Sequence, residues 1–165
     1  MLIVENLHKS FATAQGNLAV LRGVDLQLPG GSSLALMGES GSGKSTLLHL
    51  VAGLERPDSG RILVDGVALD GRREAELARW RREGIGLVFQ QYNLIPSLTA
   101  RENIAVPLTL TGHGRKESFA RADELLEQVG LSERAGHLPS RLSGGQMQRV
   151  AVARGLGHNP PLLLA

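Results

Sequence analysis

Short apolar runs separated by turn residues predict strands through the first half of the chain. The runs are residues 2–7, 18–28, 33–37, 61–64, 67–69 and 85–89. Asp65 and Gly66 separate two of these runs, and this dipeptide favours the tight turn of a β-hairpin. Apolar residues at helical spacing predict a helix over residues 44–52, and a charged helix is predicted over residues 72–83. Strands and helices in this order indicate an α/β fold.

The second half of the chain is predicted to be mainly helical. Over residues 92–157 apolar positions recur at helical spacing, and we expect the helices to be interrupted at Pro107, at residues 112–114 and at Pro139. Residues 161–165 are again apolar and predict a buried strand that returns to the α/β sheet.

Two capping boxes predict where helices begin in this half. Thr99 precedes Glu102 by three residues, and Ser143 precedes Gln146 by the same spacing. We therefore expect a single domain over residues 1–165. Its parts are an α/β part, a helical part and the start of a further strand, over residues 1–91, 92–157 and 158–165 respectively.

Composition narrows the class of protein. The chain has 165 residues, 42% hydrophobic and 21% charged, which is ordinary for one globular domain. No apolar run approaches the roughly 18 residues of a membrane span. The net charge of +2 gives no electrostatic case for nucleic acid as a partner. The absence of cysteine excludes disulfides and thiolate metal sites, and the five histidines lack the spacing of metal ligands.

A phosphate-binding motif follows the third predicted strand. Residues 38–45 read Gly-Glu-Ser-Gly-Ser-Gly-Lys-Ser and match G-x-x-x-x-G-K-[ST] at every required position. Backbone amides at the start of the predicted helix favour an anion, Lys44 would reach the β- and γ-phosphates, and the Ser45 hydroxyl would bind Mg²⁺. A glycine-rich surface loop is the alternative, but a chance match is expected in only about one in a few hundred such chains. The residues alone therefore predict a nucleotide-binding site.

A second candidate site lies in the helical part. Residues 142–146 read Leu-Ser-Gly-Gly-Gln, and Ser143 is predicted to cap a helix that starts at Gly144 or Gly145. The two glycines leave the first amides of that helix uncovered. An ordinary capping box is the alternative. The glycines and the Gln-Met-Gln-Arg-Val that follows favour a second phosphate-sized site.

With these two motifs, the sequence resembles the ATP-binding cassette (ABC) ATPases over nearly the whole chain. Residues 38–45 are similar to the Walker A motif of the family, and residues 142–146 are similar to its signature motif. The resemblance implies an α/β P-loop NTPase fold with a RecA-like core, an antiparallel β subdomain and a helical subdomain. It also implies that ATP and Mg²⁺ are bound. Four segments look like the lipoprotein-release and macrolide-export branch, namely residues 12–19, 38–60, 81–108 and 138–156.

The resemblance also assigns residues to the nucleotide. Phe11 falls where the family places an aromatic ring that stacks on adenine, although without the resemblance it would be interpreted as a packing residue. Gln90 looks like the Q-loop glutamine, which senses the γ-phosphate and contacts Mg²⁺ together with Ser45. Met147 and Gly155 depart from the commoner Gln and Ala. The remaining contacts are Gly38, Glu39, Ser40, Gly41, Ser42, Gly43, Lys44, Ser45 and Thr46, and in trans Ser143, Gly144, Gly145 and Gln146.

The family mechanism implies two protein partners. Two nucleotide-binding domains would meet head to tail, with each ATP held between the Walker A motif of one and the signature motif of the other. Closure and hydrolysis would drive a membrane permease that grips the domain near residues 92–99 and the helical subdomain. We therefore expect a cytoplasmic protein, peripheral on the inner face of the cytoplasmic membrane. The transported substrate is chosen by the permease.

The residues that hydrolyse ATP in the family are expected outside this sequence. There the strand of residues 161–165 continues into Asp-Glu, in which the Asp holds Mg²⁺ and the Glu polarises water, and a switch histidine follows. We therefore expect the chain to be the N-terminal part of a nucleotide-binding domain, with no catalytic residue of its own and incompetent in hydrolysis alone. Two alternatives remain open: a soluble ABC ATPase of the DNA-repair or translation type, and a non-catalytic remnant.

Overall fold

The computed structural model describes residues 1–14 and 16–165. Gln15, in the segment of residues 12–19 that resembles the lipoprotein-release branch, lies outside the described residues. The chain divides into two compact units, Met1–Ala78 and Arg79–Ala165. The strands are β1 (Leu2–Thr13), β2 (Gly16–Leu28), β3 (Ser59–Val64), β4 (Val67–Ala68), β5 (Ile85–Leu87) and β6 (Leu162–Leu164). The helices are α1 (Lys44–Val51), α2 (Glu74–Glu83), α3 (Ala100–Leu110), α4 (Arg115–Gln128) and α5 (Gly144–Leu156), with short 3-10 turns at Ser132–Arg134 and Pro139–Arg141.

The first unit is built on an antiparallel sheet in the order β2-β1-β3-β4. Val4 in the central strand β1 pairs with Leu26 on one side and with Ile62 on the other. Val4 and Ile62 are each only 1% exposed, because alternate side chains of these strands point to the buried face. The strands predicted over residues 2–7, 18–28 and 61–64 are therefore confirmed.

The predicted hairpin is also confirmed. Val64 of β3 pairs with Val67 of β4, so the connection consists of Asp65 and Gly66 alone. Both connecting residues have positive φ angles, 48° and 78°. Two successive left-handed residues define the turn whose twist matches a hairpin, and aspartate followed by glycine accepts this conformation at low cost.

The prediction of a strand over residues 33–37 is wrong. Neither sheet includes these residues, and Leu34 and Met37 are 49% and 90% exposed. An apolar run becomes a strand only where a neighbouring strand accepts its backbone hydrogen bonds. In the described structure the run forms an extended loop that leads into the phosphate-binding motif.

The second unit is mainly helical, as predicted for residues 92–157. Helices α3, α4 and α5 enclose one apolar core, in which Ile104, Leu126 and Val150 are completely buried. The breaks expected at residues 112–114 and at Pro139 are confirmed by the end of α3, the start of α4 and the 3-10 turn. Across the described part of the chain, no helix is both long and apolar enough to cross a membrane.

The interruption expected at Pro107 is wrong, because this proline lies inside α3. A proline removes one backbone hydrogen bond, to the residue four positions earlier. The missing bond would have joined Pro107 to Asn103, and the packing of α3 in the apolar core of the second unit continues the helix without it. The start of the helix is held by the predicted capping box of Thr99 and Glu102. The Thr99 amide and hydroxyl bind the Glu102 carboxylate and lower its pKa.

Strands β5 and β6 form a two-stranded parallel sheet. Ile85 pairs with Leu162 and Leu87 pairs with Leu164, so the strand predicted over residues 161–165 is confirmed and joins the strand predicted over residues 85–89. Helix α5 packs directly beside β5, because a Cβ built on Gly86 would overlap the carbonyl oxygen of Gly155. The loop that follows β5 therefore begins next to the end of α5.

Candidate nucleotide-binding site

The predicted phosphate-binding loop leads directly into helix α1. The backbone turns at three glycines with positive φ, which are Gly38 at 150°, Gly41 at 83° and Gly43 at 91°. Gly43 is the N-cap of α1, and its left-handed conformation lets the helix start at Lys44 without a side-chain cap. The predicted helix over residues 44–52 is confirmed, with Ala52 as the C-cap.

The ammonium group of Lys44 lies within the loop. It donates to the carbonyl oxygens of Gly38 and Glu39, at 2.9 and 2.6 Å, and to the Ser42 hydroxyl at 3.2 Å. A Cβ on Gly38 would lie 3.0 Å from the same hydroxyl, so the loop closes tightly around this group. An ammonium has three donors, and each has an acceptor here. The loop therefore brings a cation and the exposed start of a helix together, which is an arrangement suited to an anion.

The side chains around the mouth of the loop are accessible. Glu39, Ser40 and Ser45 are exposed, and Thr46 is half-buried. Ser45 is the second residue of α1, so its hydroxyl lies at the helix N-terminus. A hydroxyl oxygen is a hard ligand of the kind that Mg²⁺ accepts beside phosphate oxygens. Ser45 therefore fits the predicted role toward a nucleotide-bound Mg²⁺.

Phe11 lies on strand β1 in the same unit as the loop. It pairs with Leu18 of β2 and is half-buried. The Lys9 ammonium lies 5.0 Å from the centre of its ring, and that ammonium also donates to the Arg56 carbonyl oxygen at 2.8 Å. The Lys9 ammonium is attracted to the π-face of the ring, and this contact restricts the movement of the Phe11 side chain. A half-buried ring held in this way suits either packing or stacking on a base.

The second predicted phosphate site forms the beginning of α5. Ser143 is the N-cap, its Oγ accepts from the Gln146 amide at 3.3 Å, and its own amide donates to Gln146 Oε1 at 2.9 Å. The capping box is therefore present as predicted. Gly144 and Gly145 are exposed, so the first amides of the helix carry no covering side chain. Both glycines belong to the second unit, as do Ser143 and Gln146.

Gln90 is exposed in the loop that follows β5, also in the second unit. The Tyr92 amide donates to the Phe89 carbonyl oxygen at 2.9 Å, which closes a turn around Gln90. The carbonyl oxygens of Tyr92 and Asn93 both accept from the Arg154 guanidinium. Sequence reasoning did not identify Arg154, because one arginine inside a helical pattern carries no local signal for a contact so distant in sequence.

Among the described residues, the other polar groups form no metal site and no free basic cluster. Within residues 1–14 and 16–165, no three histidine, aspartate or glutamate side chains are grouped so that they could hold a metal ion. Arginines in and just before helix α2 pair with neighbouring carboxylates, Arg79 and Arg82 with Glu83 and Arg73 with Glu76. These exposed pairs are typical of a solvated helix face.

Comparison with known proteins identifies the family. The family described as ABC transporter matches residues 21–165. The lipoprotein-releasing system ATP-binding protein LolD 2 of Caulobacter vibrioides is 46% identical over 165 residues, which are 100% of this chain and 72% of that protein. The uncharacterised ABC transporter ATP-binding protein YknY of Bacillus subtilis is 42% identical over 165 residues, again covering 100% of this chain and 72% of that protein.

Solved structures give the same result for the fold. A dimeric post-hydrolysis structure of the ATP-binding cassette MJ0796, bound to ADP and Pi, superimposes with a TM-score of 0.93 at 40% identity. A second dimeric structure of MJ0796, described as a bacterial ABC transporter cassette, gives a TM-score of 0.93 at 41% identity. Both comparisons cover 100% of this chain and 73% of the other chain. The predicted α/β P-loop fold of the ABC type and the resemblance to the lipoprotein-release branch are confirmed. The chain belongs to the ABC transporter family of ATP-binding cassettes.

Proposed function

We propose that the chain binds Mg-ATP as the ATP-binding subunit of a transporter, with the triphosphate in the loop of residues 38–45. The observation that carries this proposal is the Lys44 ammonium, which lies inside a glycine-rich loop at the start of α1. A phosphate is stabilised by a cation and by the free amides at the start of a helix, and Lys44 and the uncapped start of α1 supply these.

Phosphate binding exchanges the hydrogen bonds of Lys44. In the structure, the ammonium donates to neutral acceptors of Gly38, Glu39 and Ser42. The β- and γ-phosphate oxygens carry negative charge, and hydrogen bonds between charged partners are roughly twice as strong as neutral ones. The loop acceptors released in this exchange can turn toward water, because most of the loop is exposed.

Other residues of the chain are proposed to bind the metal ion and the adenine base of the nucleotide. Ser45 would hold Mg²⁺, which would neutralise part of the phosphate charge. Phe11 stacks on adenine, because a π-face supports a base without regard to its hydrogen-bonding edge. The resemblance of the sequence supports a contact of Gln90 with the γ-phosphate and with Mg²⁺.

The signature residues act on a nucleotide bound by a second copy of the domain. Ser143 and Gln146 are hydrogen-bonded to each other in the capping box. Gly144 and Gly145 have no side chain that would shield the first amides of α5 from an anion. The dimeric structures of MJ0796 support a two-domain arrangement. The relatives named lipoprotein-releasing system ATP-binding proteins support a membrane permease as the second partner, contacted near residues 92–99. The protein is then held at the cytoplasmic face of the membrane by that permease.

We assign no general base among the residues of this chain. Phosphoryl transfer to water needs a group that orients the attacking water, and such groups contribute about a hundredfold or more to the rate. The 165 residues are therefore proposed to bind Mg-ATP and to hydrolyse it at least about a hundredfold more slowly than a domain that has such a group. Hydrolysis coupled to transport is the proposed activity of the family domain.

Titration with a fluorescent ATP analogue tests the phosphate site. Lys44→Ala removes the charged donor and should weaken binding by about ten- to a hundredfold, the range expected for hydrogen bonds between charged groups. Lys116→Ala, at an exposed position of α4, is the matched control and should leave the affinity unchanged. Equal affinities of the wild type and Lys44→Ala would contradict the proposed site. Circular dichroism of each variant establishes that the fold is retained.

A further inference from the structure

The guanidinium group of Arg154 holds two consecutive carbonyl groups of the loop that follows Gln90. Its Nη2 donates to the Tyr92 carbonyl oxygen at 2.7 Å, and its Nη1 donates to the Asn93 carbonyl oxygen at 2.5 Å. A planar guanidinium satisfies two acceptors at a fixed separation, whereas an ammonium donates from a single point. The contact therefore depends on arginine and not only on a positive charge.

The two residues held by Arg154 have an unfavourable backbone conformation. Tyr92 and Asn93 have φ angles of 61° and 45°, in the left-handed region. The Cβ of an L-residue is crowded there by the carbonyl group, and asparagine tolerates this region better than tyrosine. The amides of Tyr92 and Asn93 donate to the nearby carbonyl oxygens of Phe89 and Gln91. Because the turn is strained, a contact from outside is needed to hold it, and Arg154 supplies one.

The surroundings of Arg154 favour a permanent contact. The side chain is partly buried, and this burial lowers the pKa of its guanidinium below the usual value. A donor removed from water loses free energy unless it keeps its hydrogen-bond partners. Release of the Tyr92 and Asn93 carbonyl groups would therefore leave unsatisfied groups on both sides of the contact.

The Tyr92 side chain also lies near the opposite end of the helix that carries Arg154. Its Oη lies 3.5 Å from the position of a Cβ built on Gly144, the first residue of α5. Arg154 lies in the last turn of the same helix. Near Arg154 the helix is anchored on β5, where Gly86 lies against the Gly155 carbonyl group. Tyr92 therefore lies close to the first residue of α5 and accepts a hydrogen bond from a residue of its last turn.

We propose that Arg154 is a positioning residue that ties the loop after Gln90 to the helix that begins at Ser143. The proposal rests on the proposed function of these two segments, and it adds a physical connection between them. Because α5 is continuous from Gly144 to Leu156, a displacement of the Tyr92 and Asn93 carbonyl groups moves the start of the helix as well. The position of the γ-phosphate sensor and the position of the signature motif are then adjusted together.

Amide hydrogen exchange of the full chain without nucleotide tests this connection. Arg154→Ala removes both donations, and Arg154→Lys keeps the charge but not the planar fork. In both variants the Tyr92 and Asn93 amides should exchange about tenfold faster, and the Gln146 amide should also exchange faster. Arg149→Ala is the matched control, because Arg149 lies on α5 and donates to a single carbonyl oxygen, that of Val129, at 2.8 Å.

Each outcome decides the proposal. Unchanged exchange at Tyr92 and Asn93 in Arg154→Ala would overturn it, and so would faster exchange there without any change at Gln146. Wild-type behaviour of Arg154→Lys would overturn the need for the planar fork. If Arg154→Ala fails to fold, Arg154→Lys alone carries the test. Equal acceleration in the Arg149→Ala control would make the effect one of general helix stability and would also overturn the proposal.

Nucleotide preference gives an independent measurement. In Arg154→Lys the affinity for ATP relative to ADP should fall about tenfold with the ADP affinity unchanged, because a misplaced loop loses contacts to the γ-phosphate alone. Equal weakening of ATP and ADP would indicate a purely structural role and would overturn the proposal. If the wild type binds neither nucleotide, the proposed function fails, while hydrogen exchange still decides whether Arg154 ties the two segments.

Discussion

Gly43 lies directly against Leu21: a Cβ built on Gly43 would be 2.8 Å from Cδ2 of Leu21, and 3.0 Å from Cγ1 of Val20. Gly43 also has a φ angle of 91°, so both its backbone and its surroundings require glycine. This contact fixes the start of α1 on strand β2. The phosphate-binding loop is therefore held in two ways. Gly43 packs against apolar side chains of β2, and Lys44 donates hydrogen bonds to carbonyl groups within the loop.

The contact predicts different costs for two glycine substitutions in the loop. Gly41→Ala meets no atom within 4 Å and should cost only the strain of a left-handed alanine, about 1–2 kcal/mol. Gly43→Ala should cost the same strain plus overpacking of about 1–3 kcal/mol. Urea unfolding of both variants measures the difference in the free energy of unfolding. Equal losses would mean that Leu21 and Val20 yield without cost.

Local signals in the sequence were sufficient to predict the hairpin turn, the two capping boxes and the glycine-rich loop before α1. Asp65 and Gly66 determine their own turn, because the required φ angles suit these two residue types. Ser143 and Gln146 likewise form their capping box within four residues. Such features depend on neighbouring residues, so a pattern of residue types can identify them without knowledge of the remaining fold.

Features that depend on distant partners could not be predicted in this way. The apolar run of residues 33–37 has the composition of a strand, but its conformation depends on a partner strand that the run itself does not specify. The contact of Arg154 with Tyr92 and Asn93 joins positions about sixty residues apart. Pro107 continues α3 because tertiary packing of the helix outweighs one missing hydrogen bond.

Phe11→Ala should weaken ATP binding far more than binding of inorganic triphosphate. Stacking acts on the base, and its loss should reduce the ATP affinity by about ten- to a hundredfold. Phe11→Tyr keeps an aromatic ring and is the control that should retain the affinity. Competition titrations with ATP and with triphosphate provide the measurement. An equal loss for both ligands would assign Phe11 to packing between β1 and β2.

Ser143→Asp should separate the capping role of this residue from its proposed role toward a partner nucleotide. Aspartate is a good N-cap and its charge favours a helix N-terminus, so the melting temperature should not fall. The same charge should repel phosphate and abolish ATP-dependent dimerisation. Gly114→Asp places the same charge at the N-cap of α4, where a Cβ meets no atom within 4 Å, and should leave dimerisation intact. Sedimentation with and without ATP tests both variants, and dimers of Ser143→Asp would exclude a phosphate at this helix start.

His158 should make the second unit less stable in acid. Both its ring nitrogens are buried, and this burial lowers the pKa of His158, with His113 acting in the same direction and the Ile85 backbone opposing it. The folded-state pKa therefore lies below the unfolded value of about 6.5. As the pH falls below that value, the unfolded state binds a proton before the folded state does. The free energy of unfolding then decreases until the folded pKa is reached, by at most about 1.4 kcal/mol per pH unit.

Urea unfolding between pH 7.5 and pH 5.5 measures this contribution of His158. The quantity to compare is the slope of the free energy of unfolding against pH, because His158→Gln can also change the stability at every pH. The slope should be smaller in His158→Gln than in the wild type, since the variant lacks the group that titrates differently in the two states. Gln148→Ala, at an exposed position of α5, changes no titratable group and is the control that should keep the wild-type slope. Identical slopes in the wild type and in His158→Gln would mean that the folded protein accommodates the charged imidazolium, and the buried ring would then be only a packing group.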